Sequence, residues 1–561
     1  MIFGNPDKVK ALRKRYKWAR DTRDSYRRPF WQDISKFISP AHGRFLDSRD
    51  SIPARGNVDR DSIINSSASR AKAIAVSGIK GGLVPHSLEW FKLSLFDEDM
   101  AKFKPVQEWL HQCERVMYGV FNRSNFYEAI YSPFEEQITF GTGPFQINEH
   151  DKMVIHCEPW TIGEYVLISG PDKTVDTTFR SYWMSARNIK KRWGYRNMSP
   201  HARNLLRNNP DAFIEVINHI YPREDYNPLK IDNLNMPWGS VWLEAKSAGD
   251  QALGESGYNS KPVMTPRWVV IGEDPYGPDC PAMEVLGDVK MLQRLERDKL
   301  MALAKSIDPP MNVPSTLYGR LKTYAGAQNI VSGQETERVQ ETFAVNYDIE
   351  RIGNEIQRVE QRIANGFYND LFLMLSGQER SGTTAFEIAK KHEEKLTLLG
   401  PVVERQSSEL LTPIIERTFD ICLRRGLIPP PPEEISDTEA EIKVEYVSLL
   451  AQAQRAVGVT AIERSIGFIG SMTETYPEIR YKVDPMKVAT DYAQMLGMNP
   501  RLLRSDAEAS KMYADQLQRE SAQIQKEQQV NEMVQGAETA KLLGDTNPAV
   551  LDKLTQQLPA L

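Results

Sequence analysis

Hydrophobic residues recur every three or four positions in the middle of the chain, which is the spacing of amphipathic helices. A helix is predicted over Asp288–Lys305, and the Asp-Pro-Pro that follows ends it because proline cannot continue a helix. A second helix is predicted from one apolar stripe, formed by Ile349, Ile352, Ile356, Val359 and Ile363. Between the helices lies a mixed, turn-rich insert. The pattern therefore predicts a hairpin-like stalk with a small domain at its tip.

The first half of the chain mixes helical and strand patterns. Residues 1–40 have the pattern of a basic helix, and a helix of small residues is predicted over Asp61–Ile79, ended by a pair of glycines. Alternating polarity over 153–185 and 237–272 predicts strands. Proline and glycine cluster at Asp274–Pro281 and mark a boundary. We therefore expect an α+β fold that is mainly helical.

A long helix is predicted to follow the polar loop Ser376–Thr383. It begins at a capping box, Thr384 with Glu387, and ends at Gly426, which suits the left-handed position after a helix. Pro401 and Pro413 lie inside this helix, and each removes one backbone hydrogen bond, so a kink is expected.

The C-terminal part of the chain is predicted to be helical after one strand at 441–447. The helix predicted at Ser505–Gln535 has sparse apolar positions, such as Tyr513, Leu517 and Ile524. Such a helix is too polar to be stable alone and is typical of helices that pair with copies of themselves.

Composition excludes several classes of protein. The 561 residues are 41% hydrophobic and 26% charged, which is ordinary for a folded protein and predicts roughly three to five domains. No apolar run approaches the ~20 residues that span a bilayer, and the N-terminus lacks the apolar region of a secretory signal. Four cysteines without close spacing indicate reduced thiols and a cytosolic setting.

The charges are unevenly distributed. The net charge is −5, yet residues 1–30 hold ten Lys and Arg against three Asp, and residues 427–561 hold thirteen Lys and Arg against twenty Asp and Glu. Such asymmetry indicates two surfaces with different partners, or simply solvated helix faces. The basic N-terminal helix, with its interleaved aromatic residues, fits a nucleic-acid or membrane surface. It equally fits an amphipathic helix whose arginine stems pack on neighbouring elements.

One loop has the glycine spacing of a phosphate-binding loop. Gly377 and Gly382 follow an apolar run and precede a helix, but Thr383 stands where the lysine that contacts the terminal phosphates is required. A nucleotide-dependent motor subunit is therefore kept as an alternative with this single feature in its favour. A flexible polar loop is the simpler interpretation.

Other catalytic and metal motifs are missing from the sequence. The eight histidines show no metal-ligand spacing, and there is no nucleophile elbow or dinucleotide fingerprint. His156 and Cys157 are adjacent in a predicted strand, so their side chains point to opposite faces and cannot form a nucleophile–base pair. We predict no enzymatic activity, no cofactor and no metal.

Several short strings, weak one by one, occur in a specific order and spacing over residues 60 to 510. They are Gly81-Gly82-Leu83, Trp90-Phe91, Arg123–Tyr127, Phe140–Gly143, Arg267-Trp268, Tyr276-Gly277, Thr384–Glu387, Leu399–Arg405 and Glu409–Ile414. In this combination the chain resembles the portal, or head-to-tail connecting, proteins of short-tailed double-stranded DNA bacteriophages.

The resemblance implies a division of the chain into the parts of a portal-type ring subunit. These parts are a wing at 1–286, a first stem helix at 287–307, a clip at 308–346, a second stem helix at 347–373, a tunnel loop at 374–384, a kinked wing or tunnel helix at 385–426, an upper wing and crown at 427–504 and a C-terminal helical crown or barrel at 505–561.

The resemblance also implies partners and site residues. The chain would form a ring of twelve at one capsid vertex of the virion, after assembly in the host cytoplasm, around a channel for double-stranded DNA bound without sequence specificity. Terminase motor, tail adaptor, major capsid and scaffolding proteins would be its partners, and no membrane. The channel loop would present Gln378, Glu379 and Arg380 to the DNA. The clip residues Arg320, Lys322 and Arg338 would contact the motor or the adaptor, unless they are surface charges without a partner.

Overall fold

The computed structural model divides the chain into two compact units, Met1–Val457 and Gly458–Leu561. The residues that it describes are 5–45, 63–97, 100, 103–227, 229–230, 232–245, 251–313, 319–322, 324, 327–329, 339–342, 349–376, 399–432, 442–447, 468–469, 488, 509, 511–516 and 518–526. Both helices and strands are present, as expected for an α+β chain.

The first unit begins with helices and a long run of strands. In chain order its elements up to Met264 are α1 (Pro6–Tyr26), α2 (Arg28–Phe37), α3 (Ser67–Leu83), β1 (Phe91–Leu95), α4 (Lys104–Arg123), α5 (Phe126–Ala129), α6 (Tyr131–Phe140), β2 (Phe145–His150), β3 (Val154–Pro159), β4 (Tyr165–Ser169), β5 (Val175–Ser185), α7 (Ala186–Trp193), α8 (Pro200–Asn208), β6 (Phe213–Pro222), β7 (Trp238–Glu244), β8 (Gly254–Tyr258) and β9 (Val263–Met264). Short 3₁₀ turns follow α2 and α7 at Pro40–Phe45 and Tyr195–Asn197.

The rest of the first unit is mainly helical. Its elements are α9 (Pro281–Glu284), α10 (Leu286–Ile307), β10 (Met311–Asn312), β11 (Gln340–Glu341), α11 (Ile349–Gly366), α12 (Asn369–Ser376), α13 (Thr412–Arg424) and β12 (Ile442–Tyr446). In the second unit, residues 511–516 and 518–526 are helical, in agreement with the helix predicted there.

The strands form antiparallel sheets of two, three and five strands. The five-stranded sheet has the order β4-β5-β6-β7-β8, and the three-stranded sheet has the order β3-β2-β9. β12 pairs with β1 far along the chain, with Phe91 opposite Tyr446 and Leu95 opposite Ile442. The strands predicted at 153–185 and at 441–447 are thus confirmed, whereas β6 was not anticipated.

Helix α1 covers one face of the five-stranded sheet. Val9, Leu12, Tyr16 and Ala19, at three- and four-residue spacing, are buried together with sheet residues such as Phe179. This stripe explains why a sequence so rich in cations is helical here, since tertiary packing of an apolar face supplies most helix stability. The basic N-terminal segment is therefore an amphipathic helix whose apolar face packs on the sheet, which is one of the two interpretations drawn from the sequence.

Two predictions about the ends of elements are wrong. Helix α3 does not end at Gly81-Gly82 but continues through both glycines to Leu83, because the buried face on which it packs extends through Gly82 and Leu83. Residues 267–273 form no strand; Arg267 takes part only in an isolated bridge with Thr142. In this loop Trp268 is buried, at 6% exposed, whereas Ile271 is 62% exposed.

The long helix near Pro413 contains a π turn. Residues 399–406 are helical, Ser407–Leu411 form the π turn, and α13 follows. The N–H of Thr412 bonds to the carbonyl of Ser407, five residues back. An inserted residue of this kind is a recognised local distortion of a helix, and it lies next to the proline that removes one hydrogen bond.

The same helix ends as the sequence predicts. Gly426 has φ +65°, its N–H bonds to the carbonyl of Leu423, and the N–H of Leu427 bonds to that of Cys422. These two bonds are the Schellman arrangement, in which a left-handed residue lets the chain satisfy the last carbonyls.

Candidate functional site

The first candidate site is the helical hairpin formed by α10 and α11. At its base both helices are buried, with Leu292, Val359 and Ile363 each fully covered. Towards the tip the apolar side chains emerge, since Leu300 is 52% exposed and Ile307 is 82% exposed. The predicted hairpin is therefore present, and its distal half projects apolar residues that the described part of this chain leaves uncovered.

A polar network fixes the hairpin base to the start of α3. Gln293, which is 4% exposed, accepts bonds from the N–H groups of Ile64 and Asn65 at 2.7 and 2.9 Å and donates to the Asn65 carbonyl at 2.7 Å. The Asn65 amide donates to Glu296 on α10 at 3.1 Å and to Glu360 on α11 at 2.8 Å. One asparagine therefore connects both hairpin helices to α3, and satisfied networks of this kind hold elements in one arrangement.

Ion pairs add a second connection at the hairpin base. Arg362 on α11 lies 3.3 Å from Asp288 on α10, and Lys290 lies 2.6 Å from Asp33 on α2. These groups are partly exposed, so each pair contributes little to stability by itself. Their positions nevertheless define which helix faces meet.

Helix α12 packs on α3 at very short range. A Cβ atom on Gly78 would lie 2.3 Å from the Cβ of Phe372, so only glycine allows this approach. The small residues Ala71 and Ala75 precede Gly78 on the same buried face of α3. The small residues of α3 are thus explained by the close packing of α12 against this face.

A second candidate site is a junction where distant strings of the sequence meet. The Trp268 N–H donates to the Gly141 carbonyl at 2.8 Å, and the Thr142 hydroxyl donates to the Pro266 carbonyl at 2.9 Å. Gly141 and Gly277 have φ +91° and +68°, and a Cβ on either would lie within 2.5 Å of the other's carbonyl oxygen. Residues 140–143, 266–268 and 276–277 therefore form one tightly packed unit.

The π turn is attached to this junction from the other side. Arg405 donates to the Trp268 carbonyl at 2.6 Å, and Glu409 forms an ion pair with Arg267. Further along, the buried Arg417 donates from Nε to the Ile147 carbonyl at 2.9 Å and from Nη1 to the Ser260 carbonyl at 2.8 Å. The junction thus connects the long helix to the three-stranded sheet and to the loop before α9.

Most of the predicted site residues lie outside the described residues. This applies to Gln378, Glu379 and Arg380 of the channel loop and to Arg338 of the clip. Arg320 and Lys322 are described, and both are exposed. The backbone of Lys322 exchanges two hydrogen bonds with the side chain of Asn329, at 3.0 and 2.7 Å, which orders this turn. The structure does not test the contacts predicted for these residues.

One buried chain of groups has the connectivity of a nucleophile–base–acid triad, which no motif in the sequence indicated. The Ser39 hydroxyl lies 2.7 Å from His42 Nδ1, and His42 Nε2 lies 3.1 Å from a Glu136 oxygen. Ser39 is only 2% exposed, and the Lys72 ammonium donates to its oxygen at 2.9 Å. A nucleophile must reach a substrate, so we interpret this chain as a structural network that joins α2, α3 and α6.

The cysteines have no catalytic environment. All four are buried, and burial raises the pKa of Cys113, Cys157 and Cys280 to about 12 and that of Cys422 to about 11. A thiol with so high a pKa is not a nucleophile near neutral pH. Among the described residues there is also no cluster of three or more groups fit to hold a metal ion. No helix in the described ranges combines the length and apolarity needed to cross a membrane.

Comparison with known proteins decides between the possible functions. Residues 9–503 match the family model of the bacteriophage head to tail connecting protein. The chain belongs to this family. Among portal proteins of this kind, it is 33% identical over 553 residues to the probable portal protein of Bordetella phage BPP-1, which covers 97% of both chains. It is 34% identical over 478 residues to the portal protein of Salmonella phage epsilon15, covering 84% of this chain and 85% of that one. The resemblance drawn from the short strings is confirmed.

Membership of the head-to-tail connecting family gives the two candidate sites a context. The family is structural rather than enzymatic, its members are capsid components, and it implies oligomerisation and association with capsid and tail. Both the hairpin and the junction lie within the matched residues.

Proposed function

We propose that the chain forms a ring of twelve subunits at one capsid vertex, through which double-stranded DNA enters during packaging and leaves during ejection. The family match over nearly the whole chain is the observation that supports this proposal most strongly. The hairpin provides a second support, because Leu300 and Ile307 project from α10 without a cover in the described part of the chain. Exposed apolar surface of this kind marks a site of association.

We assign the hairpin helices α10 and α11 to the stem and residues 308–346 to the clip at its tip. Residues 1–286 and 385–426 are assigned to the wing, 427–504 to the upper wing and crown, and 505–561 to a C-terminal helical crown or barrel. The Asn65 network supports the assignment at the stem, because it fixes the end of the hairpin that lies within the main core.

The residues assigned to DNA contact are Gln378, Glu379 and Arg380, in the loop after α12. Because Gly78 allows α12 to pack closely on α3, the loop starts from a rigid element. DNA has to slide through the channel, and strong neutralisation of phosphates would hold it in place. One arginine per subunit in a chain of net charge −5 is consistent with a channel that guides DNA without retaining it.

During assembly in the host cytoplasm, the ring would bind scaffolding and major capsid proteins and then the terminase motor. Tail adaptor proteins would replace the motor in the finished virion. We assign Arg320, Lys322 and Arg338 of the clip to these successive contacts. Arg320 and Lys322 are exposed, as such contacts require.

We propose no catalytic role for the chain. The alternative, a nucleotide-dependent motor subunit, depends on the Gly377–Thr384 loop, which lacks the phosphate-binding lysine. ATP hydrolysis by the purified protein distinguishes the two functions, because only a motor subunit would turn over ATP.

The experiment that tests the proposal is negative-stain electron microscopy of the purified protein together with native mass spectrometry. We expect rings with a central hole and a mass of about twelve chains. The paired substitution Leu300→Asp with Ile307→Asp should abolish the rings, whereas Leu229→Asp, at an apolar residue that is 90% exposed outside the hairpin, should not. A chain that stays monomeric at high concentration and hydrolyses ATP would overturn the proposal.

A further inference from the structure

A row of aromatic side chains borders a groove on the N-terminal helices. Trp18, Tyr26 and Phe30 are 63%, 74% and 60% exposed, and Thr22 stands between the first two, so that the row repeats every four residues. Helices α1 and α2 are separated only by Arg27, whose backbone is itself helical. Large apolar side chains exposed side by side mark an interaction surface.

Two turns form the opposite wall of this groove. They are the end of β4 with the turn that follows it, from Ile168 to Lys173, and the segment Glu273–Tyr276. An ion pair between Arg27 and Asp274 joins the two walls, and the Tyr276 hydroxyl accepts a bond from the Leu167 N–H at 2.8 Å. The space enclosed is about 750 Å³. The groove is therefore formed in advance, and its shape does not depend on a ligand.

The length and lining of the groove fit an extended proline-rich segment. From Trp18 to Phe30 the helical rise amounts to about 18 Å. A polyproline II segment advances about 3.1 Å per residue, so about six residues span that distance. Aromatic side chains are also the usual partners of such segments, which lose little entropy on binding because they are extended beforehand.

The chain contains one such segment, Pro429–Pro432 followed by Glu433 and Glu434, which makes six residues. The Pro429 carbonyl accepts a bond from Trp109 Nε1 at 2.9 Å, while Pro430 and Pro431 are exposed. None of the residues that line the groove belongs to 428–432, so the segment of the same chain lies elsewhere. A segment held at one end and exposed in the middle is available to another molecule.

The charges beside the groove determine in which chain direction a proline-rich segment with two glutamates would lie along it. Lys14 and Lys17 are exposed on α1 next to Trp18, and Lys173 lines the groove. We propose that the groove binds the segment 429–434 of a second copy of this chain, with Glu433 and Glu434 beside Lys14 and Lys17. This inference rests on the proposed ring, since it requires neighbouring copies.

Disulfide trapping between two single-cysteine variants tests the contact. Thr22→Cys and Pro431→Cys are co-expressed on chains with different tags, so that a bond between them must join two copies. The four native cysteines are buried and give little background. We expect a cross-link yield at least about tenfold above that of a control pair, Thr22→Cys with Asp151→Cys, because docking raises the effective concentration. Asp151 is fully exposed, so the control measures random collision.

A charge reversal tests the direction. Replacing Glu433 and Glu434 by lysine should lower the Thr22–Pro431 cross-link, and replacing Lys14 and Lys17 by glutamate in the same chain should restore it. Rings that form without the cross-link would overturn this inference but leave the proposed function intact. Rings in which Trp18 stays accessible to a quencher would show that the groove is empty in the ring and would overturn the inference as well. A chain that forms no ring at all refutes both.

Discussion

Glu409 binds Arg267 through both carboxylate oxygens. Its Oε2 accepts from the Arg267 backbone N–H at 2.9 Å and from Nε at 3.3 Å, while Oε1 accepts from Nη2 at 2.6 Å. Glu409 belongs to the π turn Ser407–Leu411, so the irregular turn places this carboxylate opposite the loop that contains Arg267. A distortion next to Pro413 thus supplies a connection across 142 residues of chain.

Glu409→Gln should destabilise the first unit by about 2–3 kcal/mol, because it leaves the buried Arg267 side chain without its counter-charge. Arg187→Gln is the matched control, since its ion pair with Asp211 lies in solvent, with side chains 65% and 71% exposed. That change should cost at most about 1 kcal/mol. Urea unfolding at one protein concentration measures both. Equal losses in the two variants would contradict a special role for the π turn.

Two glycines of α3 should respond to alanine in opposite directions. Gly78→Ala forces a methyl group against Phe372 on α12, and such overpacking costs about 1–3 kcal/mol. Gly81→Ala meets no atom within 4 Å and should stabilise the helix by about 0.5–1 kcal/mol. Thermal unfolding of both variants gives the sign of each effect. Stabilisation by Gly78→Ala would show that α12 is displaced easily, against the rigid base proposed for the loop.

The hairpin and the helix end at Gly426 could be predicted because their signals are local. The stripe from Ile352 to Ile363 has helical spacing, and Gly426 follows the last periodic residue. Gly81 and Gly82 misled the prediction for the same reason. Locally a glycine pair disfavours a helix, but burial of Gly82 and Leu83 in the core outweighs that preference.

The contacts that build the candidate sites could not be predicted, because they join residues far apart in sequence. Asn65 forms hydrogen bonds with Glu360 and Gln293, and Ser39 forms one with Lys72. No periodic pattern in the sequence predicts either network. The strand at 442–446 was predicted from its own pattern, but its partner β1 was not. The order of the short strings along the chain indicates the family, but it does not indicate that residues 141, 267 and 409 meet at one junction.

His219 should make the protein less stable in acid. It is 1% exposed and stacked between Phe179 and Tyr221 at 4.2 and 4.7 Å, and its ring nitrogens have no hydrogen-bond partner among the described residues. Burial, aided by the charge of Arg15, lowers its pKa to about 3. A depressed pKa contributes stability above the unfolded value of about 6.5, and this stability is lost as pH falls towards 3.

The free energy of unfolding should therefore fall by roughly 2–3 kcal/mol between about pH 7 and 4.5 through this one group. His219→Phe keeps the stacking and should remove that part of the slope. His201→Phe, at an exposed histidine, is the control for the same substitution outside the core. An unchanged slope in His219→Phe would mean that His219 titrates normally.

His42 should have the opposite pH dependence. Burial lowers its pKa, but the bond to Glu136 and the charges of Glu136 and Glu135 raise it more, so that the net pKa lies above the usual value. A raised pKa contributes stability that is complete below about pH 6.5 and is lost as pH rises through the folded value. Unfolding measured from below pH 6.5 into the alkaline range should show this loss. Glu136→Gln should reduce it, and an unaltered profile in that variant would refute the coupling.

Arg380 tests the role assigned to the channel loop. In the proposed ring, one arginine per chain would be repeated as a circle of positive charge, which would attract DNA in the channel without sequence preference. Arg380→Glu should leave rings intact in electron micrographs but reduce the amount of packaged or retained genome per particle. Arg380→Lys keeps the charge and should package normally, and Arg187→Glu, at an exposed ion pair far from this loop in sequence, controls for surface charge. Normal genome filling with Arg380→Glu would remove Arg380 from the channel, because a ring of twelve carboxylates in its place would repel the phosphates that have to pass.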